Sequence, residues 1–156
     1  MIPPADREWG VLARYATSVD GVCIFEATPE ATELARKALA NLWRERAAER
    51  GLPEPADLSG SCKFASMLLS EVFGLQMRGN SDHQFCVGPG GEIVDLNADE
   101  PDVRALADPY RHDSSFWMNP DHAASLESCR RRVASWAVRL RAEIAAAEAT
   151  FGAEGP

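Results

Sequence analysis

The sequence predicts a small α+β fold: a central apolar helix packed on a short antiparallel sheet, with a long helix closing the chain. Three patterns carry that reading. Residues 28–50 and 119–150 each repeat apolar side chains at spacings of three and four, residues 62–73 form a shorter and far more apolar helical segment, and residues 83–96 alternate as a β-hairpin. At 156 residues the chain is one domain's worth. It divides into an N-terminal helical part (1–57), a helix and hairpin (58–98), a loop segment (99–118) and a C-terminal helix (119–150).

Taken in order, residues 6–16 place Trp9, Leu12, Ala13 and Ala16 at helical spacing, and Val22-Cys23-Ile24-Phe25 reads as a short strand or a buried linker. Thr28-Pro29-Glu30 is a helix start. It offers a hydroxyl cap, then a proline where no N–H is needed, then an acid in the first turn. Leu34, Ala38, Leu39, Leu42 and Trp43 give that helix its apolar stripe, and Gly51 stops it. Prolines 53 and 55 keep the connection extended. The string FASMLLSEVF at 64–73 is apolar at seven of ten positions, so the helix opened by Ser59-Gly60-Ser61-Cys62 can expose little of itself to water. A short strand at 75–78 and a Gly79-Asn80 turn lead into the hairpin HQFCV-GPGG-EIVDL. Residues 99–107 suit one or two helical turns, and 108–118 read as irregular. Asn119-Pro120 then launches the last helix through Leu126, Cys129, Val133, Trp136, Leu140 and Ile144. The tail from Gly152 is expected to fray.

Composition narrows the function classes. Hydrophobic residues at 46% can offset the entropy of ordering the chain, so a folded domain is expected. A net charge of −8 disfavours phosphate backbones and acidic membrane surfaces, so neither nucleic acid nor membrane is an expected partner. The start MIPPADRE lacks a basic-then-apolar leader, and no apolar window approaches the roughly 18 residues of a membrane span. A cytoplasmic protein is expected. The four cysteines, Cys23, Cys62, Cys86 and Cys129, form no CxxC pair and are too few for a disulfide scaffold.

The chemistry concentrates between Gly60 and Asn97. A thiol in the first turn of a helix feels the positive end of the helix dipole, which favours thiolate over thiol, and Cys62 occupies that position. The free N–H groups there suit an oxyanion, and Gly60 and Ser61 beside it suit close substrate approach. A nucleophile needs a base and the base an orienting partner. His83 opens one hairpin strand and Asp95 closes the other. A three-residue loop, Gly88-Pro89-Gly90, pairs His83 with Asp95 and Phe85 with Ile93. That face then packs on the Cys62 helix, with Cys86 pointing away. A two-residue Pro89-Gly90 turn pairs His83 with Leu96 and turns Asp95 to the other face.

The order of a Cys opening a buried helix, a His beginning a strand and an Asp on the next, in GSCKFASMLLSEVFG, DHQF and EIVDLN, resembles the papain-like fold in its transglutaminase-like branch. That branch holds peptidases, amidases, deamidases and transglutaminases. The resemblance spans residues 58–98 and implies Cys62 as nucleophile, His83 as base and acid, and Asp95 as orienting carboxylate. It also implies a peptide or protein amide as substrate, with no cofactor and no metal.

Other residues carry blander expectations. Cys23 and Cys129 lie in apolar patterns and suit core packing. The HxxC of His83 and Cys86 has a zinc look, yet strand alternation parts the two side chains. His112 and His122 are alternative bases that lack a matched carboxylate. Tyr110, Phe116, Trp117 and Met118 form an aromatic cluster that either caps the core or walls a substrate, with Trp117 the expected contact. Arg130, Arg131 and Arg132 suit a solvated helix face. Beside a hydrolase, the same residues leave open an acyl transfer to an amine, or a non-catalytic module that binds a protein through its aromatic segment.

Overall fold

The computed structural model describes residues 24–153. The expectations for residues 6–16 and for Cys23 lie outside those residues. Ile24 and Phe25 form irregular chain, with the Phe25 N–H donating to the Val72 carbonyl at 3.0 Å.

Helix α1 spans Pro29–Glu49, and the Thr28 hydroxyl accepts from the Ala31 N–H at 3.1 Å. Its buried Ala31, Ala35, Ala38, Leu39 and Leu42 follow the three-and-four spacing of its apolar face. Helix α2 spans Cys62–Phe73 and ends at Gly74, whose left-handed φ of 66° lets its N–H reach the Ser70 carbonyl at 2.9 Å. Eight of its 12 residues are buried, so it is enclosed on nearly every side. Each buried leucine there contributes about 1.5–3 kcal/mol.

The sheet is antiparallel in the order β1 (Gln76–Gly79), β2 (Gln84–Val87), β3 (Ile93–Val94). Two short helices follow, α3 (Pro101–Arg104) and α4 (Ser114–Trp117). The second interrupts the stretch expected to be irregular. The Asp113 carboxylate accepts from the Ser115 and Phe116 N–H groups and so supplies a cap. Helix α5, Pro120–Ala153, buries Cys129, Val133, Trp136, Leu140 and Ile144. Side chains of α1, α2 and α5 meet those of Leu75, Cys86 and Leu96 in one apolar cluster. Among the described residues no helix is long and apolar enough to cross a membrane.

The hairpin register differs from both expectations. Cys86 pairs with Val94 and Val87 with Ile93, and the Gly88 N–H donates to the Glu92 carbonyl at 2.8 Å. The loop is therefore Pro89-Gly90-Gly91, with Gly91 at φ 82° completing the turn. Relative to the favoured register this is a slip of two residues, which preserves faces where a slip of one exchanges them. His83, Phe85 and Asp95 accordingly share a side, and that side meets α2 at its first turn, where His83 comes beside Cys62. Cys86 faces α2, its thiol donating to the Ser66 carbonyl at 3.2 Å, while Phe85 packs edge-on against Tyr110 at 5.1 Å and Ile93 is 46% exposed.

Candidate active site

Three local devices aim the predicted residues. The first is the start of α2. Its first intrahelical bond runs from the Ala65 N–H to the Ser61 carbonyl at 2.8 Å. The N–H groups of Cys62, Lys63 and Phe64 thus lie ahead of the helical ladder, at the positive end of its dipole.

The second device is the turn before β2. Gly79 sits at φ 139°, and a Cβ there would come within 2.3 Å of the His83 carbonyl oxygen, so only glycine fits. The buried Asn80 side chain accepts from the N–H groups of Asp82 (2.8 Å) and His83 (3.2 Å) and donates to the Arg111 carbonyl at 2.7 Å. This turn sets where the His83 ring begins. The third device holds Asp95, whose Oδ1 accepts from the Asn97 N–H at 2.9 Å.

Together these place the His83 Nε2 2.7 Å from Asp95 Oδ2, and a carboxylate can only accept, so Nε2 carries the proton. The ring is 1% exposed and the Asp95 side chain 3%. Cys62, which is partly exposed, lies beside the same imidazole, close enough to raise its pKa. Burial alone pulls the His83 pKa down, but the hydrogen bond to Asp95, then the neighbouring Cys62 and the charges of both, outweigh it and raise the group to about 9. The imidazolium form is therefore favoured across neutral pH. Tyr110 completes the enclosure. Its hydroxyl donates to Asp95 Oδ2 at 3.1 Å, and its ring meets His83 edge-on at 5.9 Å. Burial, then the charge of Asp95, raises the phenol to about 12, so it stays a donor.

The flanking residues behave differently from expectation. Ser61 is buried, with its N–H and hydroxyl both donating to the Leu58 carbonyl (3.0 and 2.7 Å), so neither faces a substrate. The Gly60 N–H is engaged by the Asp102 carboxylate at 2.9 Å. Trp117 pins the end of β1, its indole N–H donating to the Gly79 carbonyl at 2.9 Å while its ring contacts His112, Phe116 and His122. His112 Nδ1 accepts from the Gly79 N–H at 3.2 Å. Burial, then the Lys63 charge, lowers the pKa of His122. The HxxC pair is split, His83 toward Cys62 and Asp95, Cys86 toward Ser66.

Sequence reasoning missed Asn80, Asn97 and the Asp95 contact of Tyr110. Asn80 carried a turn signal and Tyr110 an aromatic one, whereas nothing local marked Asn97. A cleft of about 520 Å³ borders Asp95, lined among others by Thr32, Glu33, Arg36, Ile93 and Glu100. Comparison with family models, curated proteins and solved structures finds no match to this chain.

Proposed function

We propose that the protein is a cysteine hydrolase of the peptidase, amidase or deamidase class, acting through a thioester on Cys62. The observation that carries this is the buried His83 imidazole, held by Asp95 at 2.7 Å through Nε2 with the Cys62 side chain beside it. In the reaction the Cys62 proton resides on His83, and Asp95 fixes the ring and stabilises its positive charge. The thiolate attacks an amide carbonyl carbon. The oxyanion is met by the Cys62 N–H at the open end of α2. Collapse of the intermediate expels the amine, which takes its proton from His83 and leaves a thioester. Water, deprotonated by His83, then attacks the thioester carbonyl, releases the acid and restores the thiol. An amine in place of that water makes the same residues a transamidating pair. The free thiols Cys62, Cys86 and Cys129 suit the reducing cytoplasm as the place of this chemistry.

Thiol labelling tests the reading without a known substrate. Iodoacetamide at neutral or mildly acidic pH is expected to alkylate Cys62 well before the other cysteines, and His83→Ala is expected to slow that reaction about 100-fold. Equal, slow labelling of all the cysteines, unchanged in His83→Ala, would point instead to a non-catalytic binding module.

A further inference from the structure

We infer that Asn97 is a positioning residue that clamps the turn carrying Cys62 onto the His83–Asp95 pair, an inference that rests on the acyl-transfer reading above. Asn97 is 1% exposed and joins the two halves of the site. Its main-chain N–H holds Asp95 Oδ1 at 2.9 Å, and its side-chain Nδ2 donates to Ser61 Oγ at 2.8 Å and to the Leu58 carbonyl at 3.1 Å. One residue thus grips both the carboxylate that orients His83 and the residue immediately before the nucleophile.

The hydrogen-bond inventory argues that stability is not the reason for an asparagine here. The Leu58 carbonyl already accepts from the Ser61 N–H and from the Ser61 hydroxyl, whose only proton is thereby used. Removing Nδ2 therefore strands no partner. Asn97 Oδ1, by contrast, is buried with no hydrogen-bond partner among the described residues, and such an orphan destabilises a fold. An apolar side chain of similar size would relieve that cost. It would also keep the main-chain bond to Asp95, deleting only the arm that reaches across to the Cys62 turn. Groups that orient a reacting residue through a neighbour commonly change its performance about 10- to 100-fold when lost.

The test compares wild type, Asn97→Leu and Asn97→Ala by iodoacetamide labelling of Cys62 from pH 5 to 9, alongside thermal melts. Asn97→Leu is expected to melt at or above the wild-type temperature. Its labelling at pH 6 is expected to fall about tenfold, with the pH profile moved upward toward that of an ordinary thiol. Asn97→Ala is expected to show the same shift whatever its melting temperature. Wild-type labelling across the whole pH range in Asn97→Leu overturns the inference while leaving the nucleophile in place. So does a lowered melting temperature in both variants with an unchanged profile, the mark of a packing role. If wild-type Cys62 is no faster than the other thiols, or is indifferent to His83→Ala, the acyl-transfer reading fails and the clamp fails with it.

Discussion

Cys62 and Cys86 stand at two ends of one contact, that between α2 and β2, and meet opposite fates. Cys86 Sγ donates to the Ser66 carbonyl, one helical turn along from Cys62. It is fully enclosed, and burial, then the nearby Asp95 charge, pushes its thiol well above the ordinary range. Cys62 keeps some access to solvent and has an imidazole beside it. One sits in the first turn of the helix, the other on the strand that packs against it. The surroundings differ too: Cys62 has an imidazole beside it, whereas Cys86 gives its proton to a main-chain carbonyl inside the apolar cluster.

The strongest way to break that contrast is to remove the charge behind the imidazole. Asp95→Asn is expected to slow iodoacetamide labelling of Cys62 at pH 7 on the order of 100-fold, because an amide cannot stabilise the imidazolium and permits the wrong tautomer. Cys86 should stay silent in the same variant. Losing the Asp95 charge relieves only the smaller part of its shift, and burial remains. Rapid Cys86 labelling would mean that the charge, and not enclosure, had kept it inert.

A second test uses pH. The folded-state pKa of His83, about 9, lies above the value of about 6.5 expected in the unfolded chain. A raised pKa contributes stability that is complete below the unfolded value and is lost as pH climbs through the folded one. The melting temperature is therefore expected to be highest near pH 6 and to fall by several degrees toward pH 9.5, with His83→Ala flattening that slope. A wild-type profile that is level from pH 6 to 9.5 would mean that the imidazole is neutral in the fold, and the ion-pair form of the site would be lost with it.

Much of this arrangement was legible because its signals are local. Thr28, Pro29 and Glu30 announce α1, Gly74 ends α2, and Asn119-Pro120 opens α5, each by filling or forgoing a backbone hydrogen bond at a known place. Cys62 at the start of a helix, with His83 just before β2 and Asp95 just after β3, was legible for the same reason. The orientation of the hairpin was not. Both faces of β2 are covered, one by α2 and the other by Tyr110, so alternation along HQFCV carries no sign of which face meets the helix. Helix α4 buries no residue and so has no apolar stripe to read. Asn97 acts through partners 36 and 39 residues away, a relation that only the folded chain creates.

The smallest expected effect separates the two groups that hold His83 in place. Tyr110 gives Asp95 a hydrogen bond and His83 an aromatic edge, and Tyr110→Phe removes the first while keeping the second. The lost bond should cost about 1 kcal/mol of stability, read by urea unfolding. The effect on Cys62 should be slight, because the hydroxyl drew on the same carboxylate oxygen that His83 uses. Without that competing donor the Asp95 charge bears more fully on the ring, which offsets the looser packing. Labelling should stay within about threefold of wild type. A fall as large as that in Asp95→Asn would mean that the phenol, rather than the carboxylate, orients the imidazole, and the roles assigned to the two residues would have to be exchanged.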